Sequence, residues 1–353
     1  MVLSINLPDP MFAELRPALT LRAPGRLHLG FLDPTGSLGR RFGSLGLVIN
    51  GFETEVELSA SPAVQVTASG FAERAEIERA SRYLHLLQSH SAQHEPLHLR
   101  LVQVLPAHAG FGSGTNLALA IGRAFARWHG LNLATPMLAQ WLGRGLRSGI
   151  GIAGFDHGGF IVDGGPGADG APAPILSRLP LPPAWRVLVV QDAAHQGLSG
   201  ADEWHAIATL PPLPPARAAE ICHQVLMRVL PGAASAEFAP FAAGITRIQQ
   251  LLGEHFAPAQ GGSAYSSAAV GRLIEWIGRR SEGARGLACG AAVGQSSWGP
   301  TGFAILPSQA MAEAIVGAAR EAKVIAPSLT LRIVSGRNAG AMVVDHRAAP
   351  HAR

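Results

Sequence analysis

One stretch constrains this chain more than any other: Leu105-Pro-Ala-His-Ala-Gly110-Phe-Gly112-Ser-Gly114-Thr-Asn116. It separates two segments of different periodicity. Leu97, Leu99 and Leu101 alternate as a strand does, continuing through Val102 and Val104 to Leu105, while Asn116 to His129 is a helix rich in Ala and Leu. Glycines let a backbone approach a ligand closely, and the free amides at a helix N-terminus favour phosphate oxygens. Gly110, Gly112 and Gly114 meet the first condition, and Ser113, Thr115 and Asn116 add donors at the same end. A capped strand-to-helix turn also favours Gly, Ser and Asn, so the spacing alone leaves both interpretations open.

Composition narrows the anion chemistry. Lys and Arg total 28 among 353 residues, and the single lysine is Lys323, with no glycine-rich loop before it. A Walker-type phosphate loop and Schiff-base catalysis both require a placed lysine, so neither is expected. The net charge of +4 is spread without basic blocks or interleaved aromatics. That argues against nucleic acid and for a small anionic substrate held by arginine forks. The length suggests about two domains, and 48% hydrophobic with 15% charged residues supplies ample core. No apolar stretch is long enough for a transmembrane helix, and Met1 to Leu21 lacks the pattern of a secretory signal. Two cysteines, Cys222 and Cys289, make no disulfide framework, and a cytoplasmic protein is expected.

Along the chain, residues 20–30 and 46–58 read as strands and Ala72 to Ser91 as a helix. Residues 164–184 are dense in Gly, Pro and Ala, as a long surface loop or domain boundary would be. Beyond it, strands are expected at Trp185–Val190, Gly286–Val293, Gly302–Leu306 and Leu329–Val334. Helices are expected at Ala216–Val229, 239–253, 267–280 and 308–322, with a frayed tail at His346–Arg353.

Three further stretches group chemistry-bearing residues with glycines. The first is Pro24-Gly25-Arg26-Leu-His28-Leu-Gly30-Phe-Leu-Asp33, followed by Gly36-Ser-Leu-Gly39-Arg40. Arg26 and His28 alternate on one face of its strand. The second runs from Arg147-Ser-Gly149-Ile-Gly151 through Asp156-His157-Gly-Gly-Phe-Ile-Val-Asp163-Gly-Gly165. The third is Gly294-Gln295-Ser296-Ser297-Trp298-Gly-Pro300-Thr-Gly302.

Together these stretches resemble the GHMP superfamily of small-molecule kinases and their relatives, over roughly residues 21–335. Pro24-Gly25-Arg26 matches the first motif, and residues 105–121 match the phosphate loop, with Gly-Ser-Gly where kinases have Gly-Ser-Ser. The turn at 294–302 stands in the place of the third motif. The resemblance implies an α+β, two-domain fold. A domain like domain 2 of ribosomal protein S5 spans 1–183, and a ferredoxin-like domain spans 184–353.

Within that superfamily the same residues are similar to the β-ribofuranosylaminobenzene 5′-phosphate synthases. That resemblance implies a decarboxylating pentosyltransferase of (tetrahydro)methanopterin biosynthesis. It condenses 4-aminobenzoate with phosphoribosyl pyrophosphate, releasing CO2 and pyrophosphate, with Mg2+ as helper. The alternative is an ATP-dependent kinase of the superfamily. Kinases carry Ser-Gly-x-Asp after the loop, the aspartate serving as base, whereas here Ser148-Gly149-Ile150 precedes Gly151, with Asp156 a possible substitute.

The expected roles follow motif position. Gly110 to Asn116 bind phosphate or pyrophosphate, and Arg26 and Arg40 bind remaining phosphate charge. Asp33 holds Mg2+ or stabilises charge at the anomeric centre, and Asp163 is a second candidate for either task. His28 joins them as a catalytic candidate. Arg147 or His157 orients the benzoate carboxylate, and Gln295, Ser296 and Ser297 close the site from the second domain. A homodimer is expected from the commonest symmetry.

Two other patterns are set aside. Val187 to Gly197 faintly resembles a phosphoribosyltransferase loop but lacks one acid and the Thr, and reads as a buried strand. His85, His90, His94 and His98 are interrupted by Pro96 and lack a completing carboxylate or Cys for a metal site.

Overall fold

The first strand, β1 (Leu19–Asp33), bends because Pro24 offers no amide to the ladder and Gly30 takes φ +132°. Its register with β2 (Phe42–Ala60) shifts at Pro24/Arg26 and again at His28/Gly30. Bulges of this kind re-aim side chains next to sites. The computed structural model describes residues 19–69, 74–195, 197, 200–282 and 290–348. After β2 come β3 (Gln65–Ala68), α1 (Arg74–Ser91), β4 (Leu97–Gln103), α2 (Ser113–Trp128), α3 (Thr135–Trp141), α4 (Ile150–His157), β5 (Phe160–Asp163) and β6 (Ile175–Leu179).

These strands form one sheet in the order β11-β1-β2-β4-β3. The early part of β2 (Ser44–Leu47) pairs instead with β5, which carries β6. Its last member, β11 (Met342–Asp345), comes from the other end of the chain and lies antiparallel to β1. Helices α1 and α2 cover one face, where Ala80, Leu84 and Leu87 meet Leu117, Ile121 and Phe125 over Leu21, Val56 and Leu99. Spacing at i, i+3 and i+4 in both helices builds that seam.

The second sheet begins at β7 (Arg186–Asp192). After α5 (Gly200–Thr209), α6 (Pro215–Gln224), α7 (Leu230–Ala234), α8 (Phe238–Phe256) and α9 (Ala268–Ser281) come β8 (Ala292–Gln295), β9 (Thr301–Leu306), α10 (Gln309–Glu321) and β10 (Leu329–Ser335). Its order, β10-β7-β9-β8, is antiparallel throughout. This is the 4-1-3-2 arrangement of a ferredoxin-like layer, as expected. Helices α9 and α10 pack on one face, and α6 and α8 lie between the other face and the first sheet. The central core therefore mixes Leu27, Leu47 and Ile49 with Trp185, Val187, Phe303 and Ile305.

Several expected boundaries move. α2 starts at Ser113 rather than Asn116, so the glycine stretch runs into its first turn, with Gly112 as the N-cap residue. The loop at 164–184 contains β6, which pairs with β5. The helix at 216–229 continues through a π turn at Val225–Val229 into α7, because Pro231 cannot donate and Leu230 instead bonds to the Val225 carbonyl. The strand expected at 286–293 is β8 at 292–295, and residues 283–289, with Cys289, lie outside the described residues. The tail is anchored as far as Ala348: Arg347 pairs with Asp345 and stacks over Trp128. No helix among the described residues is long and apolar enough to cross a membrane.

Candidate active site

The glycine stretch opens α2 without a side-chain cap. Gly110 and Gly112 take φ +88° and +73°, a left-handed backbone that glycine adopts without strain. The first-turn amides of Ser113, Gly114 and Thr115 therefore border a cleft of about 410 Å³ that these residues line. Guanidinium groups lie against the bare backbone. A Cβ on Gly112 would fall 2.9 Å from Arg26 Cζ, and one on Gly114 would fall 2.9 Å from Arg144 Nη2. Arg26 donates to the Gly110 carbonyl at 3.0 Å, and Arg144 Nε lies 3.4 Å from Thr115 Oγ1.

Two other elements add cationic side chains. Arg79 reaches the cleft from α1, where the buried Glu76 lies 3.4 Å from its guanidinium, and Tyr83 follows one turn later. Arg147 and Ser148 come from the loop before α4. Among the described residues, four arginines line the cleft, and no Asp or Glu does.

The second domain closes the site through a turn. Ser296 Oγ accepts from the His28 amide at 2.9 Å and donates to the Gly110 carbonyl at 2.7 Å, while the Ser297 amide donates to the His28 carbonyl at 3.2 Å. A Cβ on Gly299 would sit 2.5 Å from the Gly110 nitrogen, so the two glycine turns interlock. His28 itself is 4% exposed. Burial, and then the charges of Arg26 and Arg147, push its imidazole well below the ordinary value, so it is neutral at physiological pH.

The structure brings Arg26, His28, Gly110, Gly112, Ser113, Gly114, Thr115, Arg147 and Ser297 to one cleft. Asn116 lies one turn further in and donates to the Pro24 carbonyl at 2.7 Å, tying α2 to β1. Gln295 and Ser296 stand behind the cleft wall, both buried.

Four other candidates lie elsewhere. Asp33 takes the amides of Gly36 and Leu38 (both 2.8 Å) and the Ser37 hydroxyl into its own turn. Burial raises its carboxyl and those donors lower it, with the net result below the usual value. Arg40 is exposed and donates to the Gly165 carbonyl. Asp163 accepts from Ser44, Gly165, Gly149 and Ile150 amides and from Ser148 Oγ. Burial pushes its carboxyl up and these donors oppose the shift. His157 ends α4 on the surface, where its carbonyl accepts from Arg178. Asp156 does not reach the cleft either; Thr135 Oγ1 donates to it at 2.6 Å.

Arg79, Tyr83, Arg144, Phe31, His108 and Trp298 line the cleft although the sequence did not single them out. Arg144 carried a signal, since Gly143 and Gly145 flank it much as Gly39 precedes Arg40. Among the described residues, no carboxylate set lines the cleft for the expected Mg2+. Asp33 is committed to its turn, and no group of three or more His, Cys, Asp or Glu suited to a metal occurs among the described residues.

The model of the GHMP kinases N terminal domain matches residues 77–161, the span holding α1, the glycine turn and α4. Homoserine kinase from Cytophaga hutchinsonii superposes with a TM-score of 0.63 at 15% identity, covering 94% of this chain and 99% of that one. Fold and glycine turn together define a GHMP-type protein. Two relatives are more specific, both named beta-ribofuranosylphenol 5'-phosphate synthase. The one from Archaeoglobus fulgidus is 34% identical over 305 residues, 83% of this chain and 89% of that protein. The one from Methanothermobacter thermautotrophicus is 29% identical over 345 residues, 92% and 98% of the two chains. This chain belongs to the beta-ribofuranosylphenol 5'-phosphate synthase family.

Proposed function

We propose that this protein joins phosphoribosyl pyrophosphate to a benzoate bearing an electron donor para to its carboxylate, releasing CO2 and pyrophosphate. The observation that carries this reading is the cleft itself, where a helix N-terminus and four arginines converge and, among the described residues, no carboxylate enters. Such a lining suits a substrate carrying a phosphate and a diphosphate. The relatives' name contains a ribofuranosylphenol, which favours a hydroxyl in the para position where the sequence suggested an amine.

The chemistry needs little else. The para group donates electron density into the ring, and the ring carbon bearing carboxylate forms a bond to the anomeric carbon. The anomeric carbon–oxygen bond breaks, and pyrophosphate leaves with its electron pair. The bond to the carboxylate carbon then breaks, its electrons restore the aromatic ring, and CO2 departs. No proton is removed from carbon, so a strong base is not required. The chain's tasks are to stabilise the leaving diphosphate and to position two rings.

The amides of Ser113 to Thr115 with Arg26 and Arg144 are assigned to the diphosphate, Arg79 to the 5′-phosphate, and Arg147 to the benzoate carboxylate. Mg2+ is assigned as the counter-ion arriving with the diphosphate substrate. A kinase reading fits less well, because Gly151 lines the cleft where kinases place their base. The test is to supply phosphoribosyl pyrophosphate, Mg2+ and carboxyl-labelled 4-hydroxybenzoate or 4-aminobenzoate. Labelled CO2 equal to pyrophosphate is expected. ADP formation from ATP and an alcohol, with no CO2 release, would instead establish a kinase.

A further inference from the structure

Of the large apolar side chains left exposed among the described residues, one borders the anion cleft: Leu146, with 67% of its surface open to solvent. Phe31, Tyr83 and Trp298 also line the cleft, yet each is buried in its wall. Most of the remaining lining is arginine, glycine, serine and threonine. An apolar group entering this cleft therefore meets Leu146 as its apolar contact.

The backbone that carries Leu146 is anchored on both sides. The Gly143 amide donates to the Gln140 carbonyl at 3.1 Å and the Arg144 amide to the Ala139 carbonyl at 2.7 Å, closing the end of α3. Gly143 and Gly145 take φ +64° and +84°, a backbone suited to glycine. A Cβ on Gly145 would fall 2.8 Å from Ile152 Cδ1, so the chain lies directly on α4 at that point. Beyond Arg147, the Gly149 and Ile150 amides bond to Asp163. Leu146 is accordingly displayed at a defined place, between the cleft residues Arg144 and Arg147.

We infer that Leu146 is the apolar contact for the ring of the aromatic acceptor, whose carboxylate lies on the adjacent Arg147. The inference rests on the reaction proposed above, in which one substrate has an aromatic ring and the other has none. A benzoate has a charged end and an apolar body, and two consecutive residues of one anchored turn supply a partner for each. A ring laid on Leu146 takes apolar surface out of water on both partners. Phosphoribosyl pyrophosphate, with its hydroxyls and phosphates, gains nothing comparable there. Leu146 is therefore a specificity-determining residue that favours a ring-bearing carboxylate over an acyclic one.

The experiment has two readouts in wild type, Leu146→Asn and Leu146→Met. One is steady-state pyrophosphate release from phosphoribosyl pyrophosphate and 4-hydroxybenzoate. The other is calorimetric titration with benzoate, which lacks the para donor, in the presence of pyrophosphate. The side chain is exposed, so neither substitution should disturb folding. Leu146→Asn should raise KM for 4-hydroxybenzoate about fivefold to tenfold and leave KM for phosphoribosyl pyrophosphate and kcat within about twofold. Benzoate binding should weaken by the same factor as the acceptor KM. Leu146→Met, which keeps an apolar side chain, should recover most of both losses. An unchanged acceptor KM in Leu146→Asn overturns the inference and leaves the reaction standing. An equal rise in both KM values does the same, because it makes Leu146 part of the mouth and not of the acceptor subsite. Absence of pyrophosphate release with every benzoate overturns the reaction; the ring contact then stands if benzoate binding weakens in Leu146→Asn and falls if it does not.

Discussion

Asp33 and Arg144 exchange the parts that their sequence surroundings suggest. An aspartate at a strand end beside a glycine-rich turn looks like a ligand, yet both Asp33 oxygens are saturated by the turn it begins. Asp33→Asn is expected to lower stability by roughly 1–3 kcal/mol at neutral pH through weakened charge-assisted bonds, with turnover per folded molecule close to wild type. Thermal melts beside steady-state rates check both halves. The pH dependence has a definite sign. The folded carboxyl titrates below its ordinary value of 3.8, so its stabilisation is present above that value and is lost as pH falls through the lower folded value. Acid titration of the variant should lack that component. Arg144 was overlooked because a glycine-flanked arginine in a loop is legible as mobile backbone next to charge, but not as pointing anywhere. Only the approach of the α2 turn makes it a cleft residue while Arg40 faces solvent.

The same distinction holds for secondary-structure elements. The strand, glycine turn and helix from β4 to α2 were legible because a period of two gives way to a helical one across Pro106 and the glycines. The start of α2 was not, since Ser113, Gly114 and Thr115 carry no apolar periodicity. α4 was hidden in a run that reads as a glycine hairpin. It forms because the buried Asp163 on β5 gathers the Gly149 and Ile150 amides and Ser148 Oγ at its N-terminus. The adjoining Arg147 is thereby held at the cleft. Asp163→Asn turns an amide group toward some of these donors. It should destabilise by about 2 kcal/mol or more, speed hydrogen exchange at Gly149 and Ile150, and raise KM for phosphoribosyl pyrophosphate more than it lowers kcat. Slow exchange at both amides in the variant would show that the α4 start does not depend on this carboxylate.

At the scale of the whole molecule, the chain moves from the first sheet to the second between β6 and β7, inside the Gly- and Pro-rich stretch that marked a boundary in the sequence. The return of β11 to the edge of β1 was not legible, because four residues, Met342 to Asp345, carry too little pattern to name a partner strand. That return, and a core shared by Leu27 and Leu47 with Val187 and Phe303, join the two layers. Calorimetry should therefore record one unfolding transition, with calorimetric and van't Hoff enthalpies in agreement. Two resolved transitions would mean that the layers unfold separately.

The interlocked glycine turns have a consequence for how ligands arrive. Parting the two layers like jaws would break the His28–Ser296 and Ser296–Gly110 bonds and unseat Gly299 from Gly110, dismantling the binding surface in the act of exposing it. Traffic is then routed over the outer lip, where Leu146 borders the cleft with 67% of its surface exposed. Entry and exit should then depend on the 143–148 loop more than on any parting of the layers.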